Sequence, residues 1–527
     1  MGNAKKAAKK GKAMMMRFIS LLAVLYKMKM LSPVGLYRLI VAIFQYGMNV
    51  MMLAKVAASM YGQKVAVVDD QETMTFQQLL DQSERLSLLL KQKYRLASGH
   101  KVGFLCKNHA SLVKSMFAAS FTGSDIFLLN TEMSLEQFNQ IVEAHELDLL
   151  IYDAELTGLI EQSIYAKDKL LSYHEHLPAV NQLSRAFGGE KAPRQRTSSS
   201  KIILLTGGTT GKAKKVAHQP SLFNYLPPFS TMLTRLQLLR YQTAYIATPM
   251  YHGYGLALLL LFIALGKKIV ITSRFEAEKA CALIRKHEVE VVTVVPLMLH
   301  KMLKHHVEDL KSLACIASGG AELNPKLVTE VHRKLGHVLY NLYGTSEAGL
   351  NLIATPQDLA DCPNTIGRPI KGVRLQVLDS QKKQCGAGQV GEFCIKNHWS
   401  MRNRNRSWIA TGDLGYRDEG GYYFLCGRTD DMVVSAGENV YPIELEQVLM
   451  QHPLIEDAAV IGLPDERFGQ RLKAVVQLVA HAELTEAALS EWLRSKVARY
   501  QMPKEIVFVH RIAYTHLGKR DKKQLST

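Results

Sequence analysis

From Val65 to about Ala154 the chain alternates short apolar runs with longer segments whose apolar positions recur every three or four residues. Val65–Val68 and Lys101–Cys106 have the length and composition of buried strands, whereas Thr75–Tyr94 and Ala110–Phe121 carry a helical period. Such alternation predicts a parallel sheet covered by helices, because a crossover helix must bridge successive parallel strands. Ser184–Ser200 is rich in Arg, Lys, Gly and Ser and reads as a surface connection. Leu256–Leu265 is wholly apolar but shorter than the roughly 20 residues of a bilayer span, so it predicts a buried helix. The last hundred or so residues read as helix Ile443–Gln451, strands Ala458–Leu463 and Leu472–Leu478, a helix over Glu486–Ala498 and strand Glu505–Val509. The expected fold class is therefore α/β, a large N-terminal domain of helix-covered mixed or parallel sheets followed by a small α+β C-terminal domain.

The first 58 residues follow another pattern. A basic tail leads into the apolar run Phe18–Tyr26, and a second apolar stretch, Leu39–Ala54, is interrupted by Gln45 and Asn49. Both fall short of a membrane span. Lys27 and Lys29 close the first run and no small-residue cleavage site follows, which argues against a signal peptide. Lys6 stands where N-myristoylation at Met1-Gly2 wants Ser or Thr. Two readings stay open: basic, Met-rich amphipathic helices lying on an anionic membrane, or a helical cap packed on the rest of the chain with its lysines solvated.

Charge separates this segment from the remainder. Residues 1–68 hold eleven Lys or Arg and no acidic residue, and removing these eleven from the net +18 leaves +7 for everything else. The basicity is thus a local surface address beside apolar residues. No aromatics interleave the basic tail as a nucleic-acid groove would have them, so no nucleic-acid partner is expected. A length of 527 residues gives room for more than one domain, and a hydrophobic content of 47% excludes a polytopic membrane protein. The seven cysteines are scattered with no CxxC pair, which argues against a disulfide framework or a structural zinc site. A cytoplasmic location is expected, with peripheral contact to the inner face of a membrane as the option the basic segment adds.

Candidate chemistry begins at Thr206-Gly207-Gly208-Thr209-Thr210-Gly211, directly after the apolar run Lys201–Leu205. A strand running into a Gly/Thr loop presents backbone N–H groups and hydroxyl donors to a phosphate, and Lys212, Lys214 and Lys215 add cationic support. It is not a Walker loop, because Thr206 stands where that motif needs Gly and Ala213 where it needs Ser or Thr. Further along come Tyr343-Gly344-Thr345-Ser346-Glu347, Thr411-Gly412-Asp413, Gly427-Arg428-Thr429-Asp430, Gly437-Glu438-Asn439-Val440-Tyr441-Pro442 and Leu517-Gly518-Lys519.

In this order the motifs resemble those of the adenylate-forming superfamily of acyl-CoA synthetases, adenylation domains and luciferases, from about residue 60 to the end. The overall likeness is to bacterial-type fatty-acyl-CoA synthetases. After the basic amphipathic N-terminal segment 1–58, the resemblance implies domains at 59–428 and 429–527, the last a mobile lid turning about a hinge at Asp430. It implies ATP, Mg2+ and CoA as co-substrates and cofactor. Thr206–Gly211 would cradle the ATP phosphates with Lys214 near the pyrophosphate, and Gly207, Ala213 and Lys215 depart from the commonest pattern of Ser, Pro and Gly. Gly320, Ala321, Glu322, Asn341, Leu342, Tyr343 and Gly344 would line the adenine slot, with Thr345 and Ser346 at phosphate and Glu347 binding magnesium, as a hard cation prefers. Asp413 and Arg428 would hold the ribose, Lys519 would bridge carboxylate and α-phosphate in adenylation, and Ser435, Ala436, Gly437, Glu438 and Asn439 would receive CoA.

His252 matches an acyl-pocket position or is a satisfied structural histidine. Gly253 and Gly255 beside it would leave room for an acyl chain, and Leu256–Leu265 would wall its pocket. Arg402–Arg406 reads as a solvated turn. The expected reaction makes the CoA thioester of a medium- or long-chain fatty acid through acyl-AMP. The alternatives are an acyl-AMP ligase serving a carrier protein, a CoA ligase for aryl or short acids, and a non-catalytic membrane-associated scaffold.

Overall fold

The computed structural model describes residues 26, 32–186, 200–207, 213–218, 222–400, 408–435, 438–515, 519–521 and 524–525. It divides into two compact units, one of residues 1–294 and 298–317, the other of residues 295–297 and 318–527. The fold is mixed α/β, as the pattern of strands and helices predicts.

The first unit carries two sheets. In one, Asp168–Leu171, Leu149–Tyr152, Lys101–Leu105, Asp125–Leu128 and Ile202–Gly207 lie side by side and parallel, and Ala213–His218 adds antiparallel to the last. In the other, Val291–Val294, Thr243–Ile246, Lys268–Ile271 and Val65–Val68 are parallel, with Thr73–Thr75 antiparallel at the edge. Strands such as Leu149–Tyr152 and Thr243–Ile246 are buried along their whole length, as expected where helices cover both faces. The intervening helices start where the sequence offers a cap. Thr75 and Gln78 form a capping box that opens Phe76–Tyr94, and Ser134 and Gln137 do the same for Leu135–His145.

A buried ionic cluster ties this unit together. The Lys114 side chain has no solvent exposure and donates to Glu72 at 2.7 Å and Gln82 at 3.0 Å, while Arg185 closes the other Glu72 oxygen at 2.7 Å. The first three residues of the expected surface connection, 184–186, instead end the helix Val180–Ala186, in which Ser184 is fully buried. Residues 187–199 lie outside the described part.

The two N-terminal helices fare differently. Pro33–Tyr46 ends at Gly47, whose φ of 78° terminates it, and Asn49 caps the next helix, Val50–Tyr61, by accepting from the Met52 N–H. Val50–Tyr61 buries seven of its residues against helices Phe76–Tyr94, Ala110–Thr122 and Gly253–Ala264. That helix caps the domain and cannot lie on a membrane, which corrects the membrane reading for this half of the segment. Among the described residues no helix is long and apolar enough to cross a membrane.

The second unit is mainly antiparallel. Leu339–Thr345, Gly349–Ala354 and Arg368–Pro369 pair in sequence, and Arg374–Leu378, Gly391–Lys396, Ile409–Arg417 and Tyr423–Arg428 make a four-stranded meander. A third sheet runs Glu438–Val440, Val433–Ser435, Gly469–Leu478, Ile455–Asp465, with Glu505–Val509 parallel to Gly469–Leu478. Two of the unit's cores form around separate sets of described residues. One centres on Tyr343, Leu352, Phe393 and Tyr423, the other on Val433, Leu445, Val460, Leu472 and Leu493.

Candidate active site

In the first unit, the strand Ile202–Gly207 turns back on itself. Thr206 pairs with Lys214 and Gly207 with Ala213, so Thr206 and Gly207 end one strand and Lys214 and Lys215 belong to the return strand. The sequence placed all of these in or just after a loop. Gly208, Thr209, Thr210, Gly211 and Lys212 lie outside the described residues.

His252 sits at the start of helix Gly253–Ala264, half-buried, with its ring edge-on to Tyr251 at 4.6 Å. Gly255 does not make room for a ligand. A Cβ there would lie 2.6 Å from the Pro249 carbonyl oxygen and 2.8 Å from that of Thr248, so glycine is demanded by the close approach of backbone. The leucines that follow are largely core: Leu256, Leu258, Leu259 and Leu261 are buried, and the helix packs on Val50–Tyr61 and on strand Lys268–Ile271. Gly253, by contrast, is exposed, and a Cβ there would meet only a Leu204 methyl at 3.2 Å.

The second unit brings together residues that the sequence keeps far apart. Asp413 and Arg428 are direct partners across strands Ile409–Arg417 and Tyr423–Arg428. Arg428 donates from Nη1 to Asp413 at 3.0 Å and from Nε to Asp430 at 2.9 Å. Tyr343, from strand Leu339–Thr345, donates its O–H to the other Asp413 oxygen at 2.5 Å. Burial pushes the Asp413 carboxyl above the ordinary carboxylate range, although Tyr343, Arg428 and the Lys519 ammonium all pull the other way. Tyr343 itself is raised, first by burial and then by the Asp413 charge. The outcome is a carboxylate held at a solvation cost, which further hydroxyl donors would reduce.

The Tyr343–Glu347 run crosses a hairpin. Gly344 cannot carry a side chain, because a Cβ would lie 2.6 Å from the Gly349 carbonyl oxygen. Thr345 accepts from the Ala348 N–H at 3.1 Å and fixes the turn that exposes Ser346 and half-buries Glu347. Glu347 is half-buried and offers carboxylate oxygens, the donor type a hard cation takes. Gly320, with φ of 84°, precedes Ala321 and Glu322, and Gln447 donates to Glu322 at 3.2 Å. Asn341 is buried and donates to the Thr365 carbonyl at 3.2 Å, while Leu342 is buried beside it.

Lys519 is exposed at the end of a short hairpin. Its carbonyl accepts from the Thr515 N–H at 2.7 Å, and Tyr514 and Arg520 bridge below it. Sequence reasoning missed what anchors that hairpin. Arg520 donates to Glu446 at 2.6 Å and to Asp457 at 3.0 Å, and Tyr514 also donates to Asp457. Only the charge of Arg520 beside Lys519 hinted at this.

Of the proposed CoA segment, Ser435 is buried in strand Val433–Ser435 opposite Glu438, which is exposed. Ala436 and Gly437 lie outside the described residues, as do Arg402–Arg406.

Comparison with known proteins agrees with this layout. Residues 54–403 match the family model described as AMP-binding enzyme, and residues 444–519 match the one described as AMP-binding enzyme C-terminal domain. A 2-succinylbenzoate–CoA ligase of Bacillus pumilus (strain SAFR-032) is 26% identical over 482 residues, covering 88% of this chain and 95% of the relative. The medium/long-chain-fatty-acid–CoA ligase FadD8 of Mycobacterium tuberculosis is 30% identical over 349 residues, covering 61% of this chain and 60% of the relative. The o-succinylbenzoate CoA synthetase MenE of Bacillus subtilis, solved with its acyl-adenylate intermediate, superposes with a TM-score of 0.78 at 24% identity, covering 90% and 98% of the two chains, and so shares the fold.

Proposed function

The chain belongs to the AMP-binding enzyme family, and from that premise we propose that it joins an aryl carboxylic acid to CoA through an acyl adenylate. At the coarser level it is an AMP-forming acid–CoA ligase that uses ATP, Mg2+ and CoA. The likeness is to CoA ligases in general, which corrects the narrower resemblance to fatty-acyl-CoA synthetases. The observation that carries the acid class is the 2-succinylbenzoate–CoA ligase match over nearly the full length of both chains. Gly255, held to glycine by close backbone, and the buried leucines after it lend a long acyl pocket no support of their own.

In the first step a carboxylate oxygen attacks the α-phosphorus of ATP. One P–O bond forms, the bond to pyrophosphate breaks, and acyl-AMP results. Catalysis is then positioning and charge stabilisation. In this reading Asp413 and Arg428 take the ribose hydroxyls, with Tyr343 holding Asp413 in place. Gly320, Ala321 and Glu322, with Asn341, Leu342, Tyr343 and Gly344, would line the adenine slot. Glu347 would hold the magnesium that travels with ATP, and that ion supplies neutralising charge to the phosphates. Thr206, Gly207 and Lys214, with the loop they flank, grip the pyrophosphate end. Lys519 reaches the carboxylate and α-phosphate oxygens as charge develops there.

In the second step the CoA sulfur attacks the acyl carbonyl, the thioester forms, and AMP leaves with the pair of electrons of the broken anhydride bond. We assign residues 429–527 as the part that turns about Asp430 between the steps. Arg428 clasps Asp430 with a half-exposed ion pair, a contact worth about 0–1 kcal/mol and cheap to release. His252 and the Ser435–Glu438 turn complete the assignment, at the acid and at CoA.

ATP–pyrophosphate exchange across a panel of aryl, short and long acids, followed by thioester formation with free CoA, tests this reading. Fastest exchange with an aryl acid and transfer to CoA are expected. Fastest exchange with a C8–C16 acid would move the assignment to fatty acids, a reading favoured by the FadD8 match. Brisk exchange without a CoA thioester would make the acceptor a carrier protein.

A further inference from the structure

Helix Pro33–Tyr46 lies outside the family match, which begins at residue 54. Its sequence, PVGLYRLIVAIFQY, has one charge, Arg38, and no acidic residue. One narrow face is buried through Gly35, Ala42 and Tyr46. The opposite face, an arc of roughly 160° at 100° per residue, is as apolar as the buried one. Val34, Leu36, Tyr37, Ile40 and Phe44 are 58%, 42%, 69%, 56% and 75% exposed, and Met48 just beyond the helix is 42% exposed. Isolated exposed apolar side chains are ordinary, but a contiguous stripe of this size marks a surface that something covers.

The helix is mounted firmly. Tyr46 donates to Glu84 and its ring meets Phe121 at 5.0 Å, Asn49 donates to the Tyr46 carbonyl at 2.7 Å, and the Val50 N–H donates to Ser120 at 3.3 Å. The stripe therefore has a fixed direction on the first unit. The chain leading into it, residues 1–31, contains eight Lys or Arg and no Asp or Glu. A second copy docked on the stripe would bring two such segments together, which like charge opposes. An anionic bilayer satisfies both features at once, apolar side chains entering the headgroup boundary and lysines pairing with lipid phosphate.

We propose that helix Pro33–Tyr46, with the basic segment before it, is an interfacial anchor that binds this protein to anionic phospholipid. At 14 residues the helix is about 21 Å long, short of the ~30 Å hydrocarbon core, so it lies in the interface and does not span. None of the candidate site residues belongs to this helix.

The test is co-sedimentation of the full chain with vesicles of phosphatidylcholine alone or with about 30 mol% phosphatidylglycerol, at about 0.1 M and 0.5 M NaCl. The wild type is expected to bind only the anionic vesicles and to release at high salt. Ile40→Gln with Phe44→Gln should cut the partition coefficient about ten-fold, and so should Lys5, Lys6, Lys9 and Lys10 changed to Gln. Both variants should keep the wild-type melting temperature and ATP–pyrophosphate exchange. A separate Tyr37→Ser change guards against a folding defect in the double variant. Unchanged partitioning of both variants would overturn the proposal. So would absence of vesicle binding with a dimer that the double variant dissociates, which makes a second copy the occupant. Absence of vesicle binding in a monomer whose stripe becomes dye-accessible on removing residues 1–31 would assign the cover to that segment.

Discussion

Arg520 donates to the Glu446 carboxylate at 2.6 Å one residue after Lys519, and its other terminal nitrogen holds Asp457 at 3.0 Å. Glu446 is itself fixed, its second oxygen accepting from the Val460 N–H at 2.8 Å. The hairpin that carries Lys519 is thus bolted to the core of the C-terminal residues by a two-carboxylate clasp. An arginine is needed for this, since only a planar fork reaches two carboxylates in fixed geometry.

Arg520→Lys keeps the charge and loses the fork. If Lys519 acts in adenylation as proposed, exchange should fall about ten- to a hundred-fold, in line with an Å-scale misplacement of a reacting group. Thioester formation from preformed acyl-AMP and CoA should stay within about three-fold, because Lys519 has no part in that step. Equal losses in both half-reactions would make Arg520 a purely structural residue.

Tyr343→Phe removes the 2.5 Å donor from Asp413 and leaves Arg428 as its partner. Burial already holds the Asp413 carboxyl above the usual range, while the hydrogen bond from Tyr343 and the charge and hydrogen bond of Arg428 draw it down. Removing that donor raises the pKa further, so the ionised form that accepts from ribose is lost at a higher pH as the solution is acidified. The KM for ATP should rise about three- to ten-fold near neutrality, the range of one lost intramolecular hydrogen bond. Its increase on acidification should begin at higher pH than in the wild type, as measured by a pH series of exchange rates.

Acid should weaken the first unit through Glu72. Burial pushes this carboxyl up, but the Lys114 and Arg185 partners outweigh it and leave it below its ordinary value. A depressed carboxyl contributes stability that is complete above the unfolded-state pKa, about 4.3, and is lost as the pH falls through the folded-state value. Glu72→Gln should lower stability at pH 7 by about 3–5 kcal/mol, because it strands a fully buried ammonium. The variant should also show a shallower loss of melting temperature between about pH 5 and pH 3. A parallel acid limb in variant and wild type would assign the acid sensitivity elsewhere.

Much of this was legible in the chain, for identifiable reasons. Strand Glu505–Val509 has the ends its pattern gives. Its neighbours run longer than their apolar parts, Ile455–Asp465 and Gly469–Leu478, because the hairpin end pairs Pro464 with Gln470 and Asp465 with Gly469. Polar ladder pairs carry no hydrophobic signal. The helix from Glu486 stops at Arg494 with Ser495 at its end, short of the expected Ala498. Asp413, Arg428 and Tyr343 were each visible as motif residues, but their meeting depends on strand register, which spacing cannot give. The Arg520 clasp was invisible, since its partners Glu446 and Asp457 lie more than sixty residues upstream.

Gly255 separates the two readings of the acid site directly. If it leaves room for an acyl chain, Gly255→Ala should narrow the range of acids and spare folding. The backbone oxygens of Pro249 and Thr248 stand 2.6 and 2.8 Å from the added carbon, closer than real Cβ contacts come, and neither can retreat without moving the chain. The expected outcome is therefore a loss of stability of about 1–3 kcal/mol by overpacking, read as a lower melting temperature. Acid preference should stay unchanged in whatever protein folds. Gly253→Ala is the control. Its nearest neighbour is a flexible Leu204 methyl at 3.2 Å, so it should be tolerated with little change in melting temperature. A shift in preference from long to short acids in Gly255→Ala, at wild-type stability, would restore an acyl tunnel along this helix and with it the fatty-acid assignment.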